Sequence, residues 1–332
     1  MKNPKPATDG DIYIPYEKRT GPESIVYFTR DLSEKGLEKI YDKVKENIDG
    51  KIALKVHTGE PNGPNIIPRP WVKHLLEKKL PNATIVETNA YYEGDRYTTE
   101  KHRNTLKVNG WTFSKVDIMD EFGTIDFPVK NGKWFDHMTM GKSLKDYDSF
   151  IALTHFKGHV QGGFGGSNKN IGIGNADGRI GKAMIHTTPG QPNQWDIGKE
   201  EFMERITEST KATVDHFGNK ITFINVMRNM SVSCDCEGIN AQPVVTPNVG
   251  ILASRDICAL DTACVDLVFS MSEKDGHDLQ ERIKSRHSLR QLSYMKELGM
   301  GNDRYKLIDI DNGDKEITQA EAIKHIVPFE KS

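Results

Sequence analysis

Between Thr154 and Gly174 the chain reads THFKGHVQGGFGGSNKNIGIG, which sets His155, Lys157, His159 and Lys169 among seven glycines, with His186 following after a further turn. Glycines let a backbone approach a ligand closely, and successive N–H groups in such a loop form an anion-binding concavity. Histidine supplies proton transfer near neutral pH or a metal ligand. A lysine that is desolvated becomes a base or a nucleophile. The register fits neither common phosphate loop, since both G-x-x-x-x-G-K-[ST] and a strand-to-helix G-x-G-x-x-G are absent. The spacing therefore points to a cleft rather than a nucleotide loop: Lys169, His159 and His186 as catalytic groups, and Gly162, Gly163, Gly165, Gly166, Asn168 and Asn170 around a cofactor or substrate. The competing bland reading has the histidines satisfying backbone carbonyls and the lysine in solvent.

A second constellation is SVSCDCEG, with Cys234 and Cys236 two apart. In extended chain both sulfurs project to one side and Asp235 to the other. Two thiolates suit a soft or borderline metal such as iron, zinc or nickel, although a closed structural zinc site takes four ligands. Cys258 and Cys264 sit six apart in an expected helix, face different directions and read as core. In the same helix Asp261 and Asp266 lie among apolar residues and should be paired, while Ser254 or Asp256 can cap its start. Arg282, Arg286, His287 and Arg290 cluster near the end as a charged helix surface or an anion pocket. His102 and Arg103 read as a solvated helix face.

The elements that must position these groups alternate between short apolar runs and amphipathic segments, the signature of an α/β fold, a layered and mostly parallel sheet with helices on both faces in two intimately packed lobes. SIVYFTR, KIALKVHTG, ATIVETNAY and SKVDIMDEFG read as strands, with helices between them. SFIALTH is the strand that delivers the chain into the glycine-rich segment. Beyond it come the helix KEEFMERITESTKATVDHFG, two strands in KITFINVMRNM and NVGILAS, the helix RDICALDTACVDLVFSMS, one bent or two short helices in DLQERIKSRHSLRQLSYMKELGMG, and the strand YKLIDI. Residues 1–23 read as an irregular arm and 24–332 as a single family domain, divisible into lobes 24–150 and 151–332.

With 45 Lys and Arg against 47 Asp and Glu, and no basic block, the sequence lacks a nucleic-acid footprint. No apolar run approaches the roughly 18 residues needed to cross a bilayer. The opening residues lack the apolar stretch of a secretory signal, so a cytoplasmic location and reduced cysteines are expected. The expected partner is a small-molecule substrate or anion, with neither nucleic acid nor membrane.

Taken in order, HFKGH, GGFGGSNKNIGIG, GKAMIH, SCDCEG, VGILASRDICALDTACVDLV and RIKSRHSLRQLSYMKELGMG resemble the domain-of-unknown-function 362 family, whose members are often labelled iron-sulfur centre proteins. Many members carry ferredoxin-like cysteine clusters between the position of His186 and the helix near Glu200. This chain has TTPGQPNQWDIGKEE there, without a cysteine, so a ferredoxin-type cluster is not expected. A fainter resemblance is to the nickel-dependent lactate racemases, whose lysine anchors a nucleotide-derived nickel cofactor. That resemblance implies His159, Lys169 and His186 in the corresponding places, and His57 as a second catalytic base. The expected function is an enzyme acting on a small anionic substrate by acid-base or metal-assisted redox or isomerase chemistry. The alternative is a metal, cofactor or anion carrier, or a redox-accessory protein.

Overall fold

A computed structural model describes residues 13–188 and 197–327, together with Lys2, Pro4 and Trp195. The first third alternates strands and helices: β1 (Glu23–Thr29), α1 (Glu34–Asp42), β2 (Ile52–Val56), α2 (Arg69–Lys78), β3 (Ala83–Glu87), α3 (Thr99–Val108) and β4 (Val116–Ile118). A hairpin of β5 (Thr124–Pro128) and β6 (His137–Gly141) precedes β7 (Ser149–His155), and a tighter hairpin, β8 (Lys157–His159) and β9 (Gly163–Gly165), follows it. Then come α4 (Ser167–Gly174), α5 (Ile180–His186), α6 (Lys199–Phe217), β10 (Ile221–Met227), β11 (Gly250–Ser254) and α7 (Ile257–Phe269). The described chain closes with α8 (Glu273–Ser285), α9 (Arg290–Glu297), β12 (Arg304–Asp309), β13 (Lys315–Ile317) and α10 (Gln319–Ile323).

Nine strands form one sheet in the order β13-β12-β1-β11-β10-β7-β2-β3-β4, so strands from both halves of the chain interleave. The run from β10 through β7, β2 and β3 to β4 is parallel, whereas β11 pairs antiparallel with both its neighbours. Strands β2, β7, β10 and β11 are buried at every position, as expected for a sheet covered on both faces. Successive residues point to opposite faces. Leu54, Ile151, Ile224 and Ile251 pack with Leu37 and Ile40 of α1 and Val72 and Leu75 of α2. Their neighbours Ala53, Phe150, Phe223 and Leu252 pack with Ile171 of α4, Phe202 and Ile206 of α6, and Leu260 of α7. The expected layered α/β fold is the one observed.

Side-chain caps fix the helix starts. Ser33 accepts from the N–H of Gly36, Thr98 from Lys101 and Asp256 from Ala259, while Pro70 sits in the first turn of α2, where its missing N–H costs no hydrogen bond. The C-terminal helical region resolves as two helices, α8 and α9. His102 is fully buried rather than solvated, because its face of α3 turns inward and its Nδ1 lies 3.3 Å from Asn89 Oδ1. Part of the N-terminal arm, and residues 189–194 and 196 of the passage where the family's cysteine clusters would insert, lie outside the described residues.

Candidate active site

Because β2, β3 and β7 are parallel, their carboxyl ends deliver His57, Glu87 and the Lys157 hairpin to one edge of the sheet. There they line a cavity of about 520 Å³. In β8, Lys157 and His159 point to one side, while the intervening Gly158 packs so tightly on the backbone of Val232 that no Cβ would fit. The first two turns of α4 add Lys169 and Asn170, and α5 ends in His186.

Lys55 is buried in β2 and donates to Glu87 Oε2 at 2.7 Å and to Asn170 Oδ1 at 3.3 Å. Burial lowers the affinity of this lysine for its proton. Burial pulls Glu87 the other way, but Lys55 and His57 outweigh it and hold the carboxyl well below its usual range. Glu87 Oε1 accepts from the N–H of Thr58 at 2.8 Å and lies 3.4 Å from His57 Nδ1. A proton on that nitrogen leaves His57 Nε2 as a lone pair, buried and without a hydrogen-bond partner among the described residues. Burial lowers the pKa of His57 and keeps its ring neutral.

Across the cavity, Cys234 caps a 3-10 turn that begins at Asp235, and Glu237 reaches back to the N–H of Cys234 at 2.8 Å. This puts Cys236 on the cavity wall and Cys234 just beneath it, 1% exposed. The two sulfurs and a ring nitrogen of His159 lie within 4.8 Å of one another. Lys169 Nζ approaches Cys234 Sγ at 3.5 Å. The hydrogen bond from Cys236, then Lys169 and His159, outweigh burial and bring Cys234 well below the usual thiol range, while the same bond and burial push Cys236 well above it. The hydrogen-bonded pair thus shares one proton and carries one negative charge. Burial opposes the charge on Lys169, but the two cysteines outweigh it and raise its pKa.

His159 Nδ1 accepts the N–H of Gly162 at 2.7 Å. Burial, then Lys169, lower its pKa to about 3, so the neutral ring carries its proton on Nε2. His186 is neutral as well, with burial the main cause, and its Nδ1 lies 3.2 Å from Gln161 Oε1. Tyr91, Trp195 and Phe202 surround its ring, with centroids at 6.3, 4.8 and 5.1 Å.

Of the residues singled out by the sequence, the cavity gathers Lys169, His159, His186, His57, Gly165, Gly166, Asn170 and Cys236, with Cys234 behind. Gly162, Gly163 and Asn168 lie off its wall. Asn168 donates to Thr207 and Gln291 in the core. The N–H groups that open α4, from Ser167 and Asn168, are taken by Asp261 at 2.8 and 2.9 Å, so this helix start already holds an anion of the protein's own. A Cβ on Gly166 would collide with that carboxylate. Burial pushes Asp261 up to about 6, against the three groups that donate to it. Asp235, between the cysteines, faces away and holds His155 at 2.8 Å and Lys157 at 3.1 Å. Of the arginine cluster, Arg286 reaches the cavity, whereas Arg290 pairs with Glu204 and Glu297, and His287 with Glu200. Cys258 and Cys264 are buried in α7.

Sequence reasoning missed Lys55, Glu87, Arg96, Tyr92 and Lys182, all on the cavity wall. Arg96 pairs with Glu60 at 2.7 Å, and Tyr92 donates to the same carboxylate. Lys182, on α5, donates to Thr88, to the carbonyl of Asn89 and to the carbonyl of Ala176, and burial lowers its pKa to about 8. The available signal was a lysine inside the apolar strand IALKV and a glutamate closing ATIVE.

The profile of the family described as Domain of unknown function (DUF362) matches residues 52–266, which carry most of these groups. The chain belongs to that family. No curated protein matches the sequence. Among solved structures, the lactate racemase apoprotein from Thermoanaerobacterium thermosaccharolyticum is 12% identical, covering 94% of this chain and 87% of its own, with a TM-score of 0.39. A protein from Thermotoga maritima is 14% identical over 58% of this chain and 50% of its own, with a TM-score of 0.36. TM-scores this low carry no inference about chemistry. No helix among the described residues is long and apolar enough to cross a membrane.

Proposed function

We propose that this family member is an enzyme acting on a small anionic substrate in the cavity, with a transition metal held by Cys234 and Cys236. The observation that supports the reading is a buried cation with no carboxylate in contact. Glu87 answers Lys55, Asp235 answers Lys157, Glu60 answers Arg96 and the negative charge of the cysteine pair answers Lys169, but among the described residues Lys182 meets only neutral acceptors. Uncompensated buried charge is costly, and an entering anion removes that cost.

The donor set fits a metal of intermediate softness: a thiolate and a second thiol whose proton a metal would displace, with further positions open toward the cavity. His159 would act beside it as an N–H donor, since its Nδ1 is engaged by Gly162. A bound metal would supply Lewis-acid or redox chemistry at the sulfurs. The chain's own proton chemistry would fall to His57, whose free Nε2 accepts a proton while Glu87 orients the ring and stabilises the cation formed. Lys169 and Lys182 would hold the anion, and His186 would close the far side. A carrier would need the cations but not the oriented His57.

The test is anaerobic metal analysis together with calorimetric titration of small carboxylates and phosphate, and proton exchange of bound carboxylic acids in heavy water. Lys182→Met should weaken anion binding about tenfold or more, the value of a charged hydrogen bond. His57→Asn should abolish exchange while leaving binding in place. Binding without any His57-dependent exchange would favour the carrier; no anion binding by the wild-type protein would overturn the reading altogether.

A further inference from the structure

Among the four cysteines, Cys234 and Cys236 differ from Cys258 and Cys264 in that their sulfurs are neighbours at a cavity wall, one facing it and the other directly behind. The turn that holds them is fixed from outside the pair. Glu237 grips the N–H of Cys234 and the hydroxyl of Ser233, and Asp235 is anchored on His155 and Lys157, so the two thiols stay juxtaposed without a ligand. Lys169 adds a positive charge beside the inner sulfur. Access, a resolving partner and a neighbouring cation are what thiol–disulfide exchange needs.

We propose that Cys234 and Cys236 form a redox-active dithiol that exchanges with low-molecular-weight disulfides entering the cavity. The shared proton moves to Cys234 across the hydrogen bond of the pair, and the Cys236 sulfur attacks one sulfur of the incoming disulfide, releasing the first thiolate and forming a mixed disulfide. Cys234, held beside Lys169, then attacks the Cys236 sulfur; the internal S–S bond forms and the second thiolate leaves. Two protein sulfurs are oxidised, the external disulfide is reduced to one thiol and one thiolate, and the single proton of the pair, given up by Cys234 as it attacks, passes to the departing second thiolate. Because the oxidised pair has no thiolate left for a metal, exchange would also empty the metal centre, a consequence that rests on the metal reading above.

The test treats the full-length, metal-free protein with oxidised glutathione, then alkylates it in denaturant and maps the peptides by mass. Free thiols should fall from four to two, with the cross-link confined to the peptide holding Cys234 and Cys236 and reversed by dithiothreitol. Cys236→Ser should keep its three remaining thiols. Persistence of four thiols, a stable glutathione adduct on Cys236, or a cross-link through Cys258 or Cys264 would overturn the proposal. A parallel titration of the reduced protein with cobalt(II), read by its thiolate charge-transfer band, separates the two readings. Cross-linking without cobalt uptake sinks the metal assignment alone; cobalt uptake with four oxidant-resistant thiols sinks the dithiol alone.

Discussion

Two of the buried ionic clusters among the described residues are built to opposite ends. Behind α7, Asp266 receives both arms of Arg19 at 2.6 Å, the hydroxyl of Tyr13 at 2.8 Å and that of Tyr305 at 2.7 Å, so its carboxylate is satisfied by donors from distant parts of the chain. At the carboxyl edge of the sheet, buried Lys182 has no carboxylate partner and the buried Nε2 of His57 has no partner at all among the described residues, and both residues face a cavity. Buried charge alone does not mark a site. What marks one is burial with an atom left over and space in front of it.

The sharpest way to break the contrast is Asp266→Ala, which strands a buried guanidinium and two hydroxyls. It should cost about 3–5 kcal/mol in denaturant unfolding, while metal uptake and anion binding at the cavity persist in the folded fraction. Acid should act over a wider range, through the neutral histidines. His159 and His102 are depressed to about 3 by burial, so below the ordinary value near 6.5 the unfolded chain takes up protons first. Stability is then complete above about pH 6.5 and falls toward pH 3 by about 1.4 kcal/mol per unit for each histidine. His102→Gln should flatten that slope without altering anion binding, and an unchanged slope would mean that the buried ring is not neutral. The smallest effect on stability belongs to Lys182→Met. The charge removed and the acceptors vacated offset each other to within about 1 kcal/mol, although anion affinity drops. A loss as large as that of Asp266→Ala would show that Lys182 completes a structural cluster instead.

The strand and helix order was legible because most elements carry their own period and caps, such as β7 as SFIALTH and α7 behind Asp256; the start of α8, capped by Ser272, lies ahead of the segment DLQERIKS read as helix. So was the neighbourhood of Lys169 and His159, since glycine spacing and side-chain type are local properties. Lys55, Glu87 and Lys182 were not. Their meeting depends on the parallel register that sets Lys55 beside Val86 and Ala152, and no short-range pattern encodes such pairing. His102 misled for a related reason: a polar helix such as α3 hides which of its faces turns inward. The glycines misled in part as well, because several make room for protein atoms rather than a ligand. A side chain at position 174 would strike the ammonium end of Lys55, and one at 172 the backbone of Ile206.

Asp261 has a bearing on motion. By accepting the N–H groups of Ser167 and Asn168 and the amide of Asn225, one carboxylate from α7 welds the start of α4 to the central sheet. Those amides have no local opening available that does not also break the core. They should exchange with deuterium only through global unfolding, which makes the floor of the cavity the slowest-breathing part of the protein and leaves any adaptation to a ligand to the walls above it.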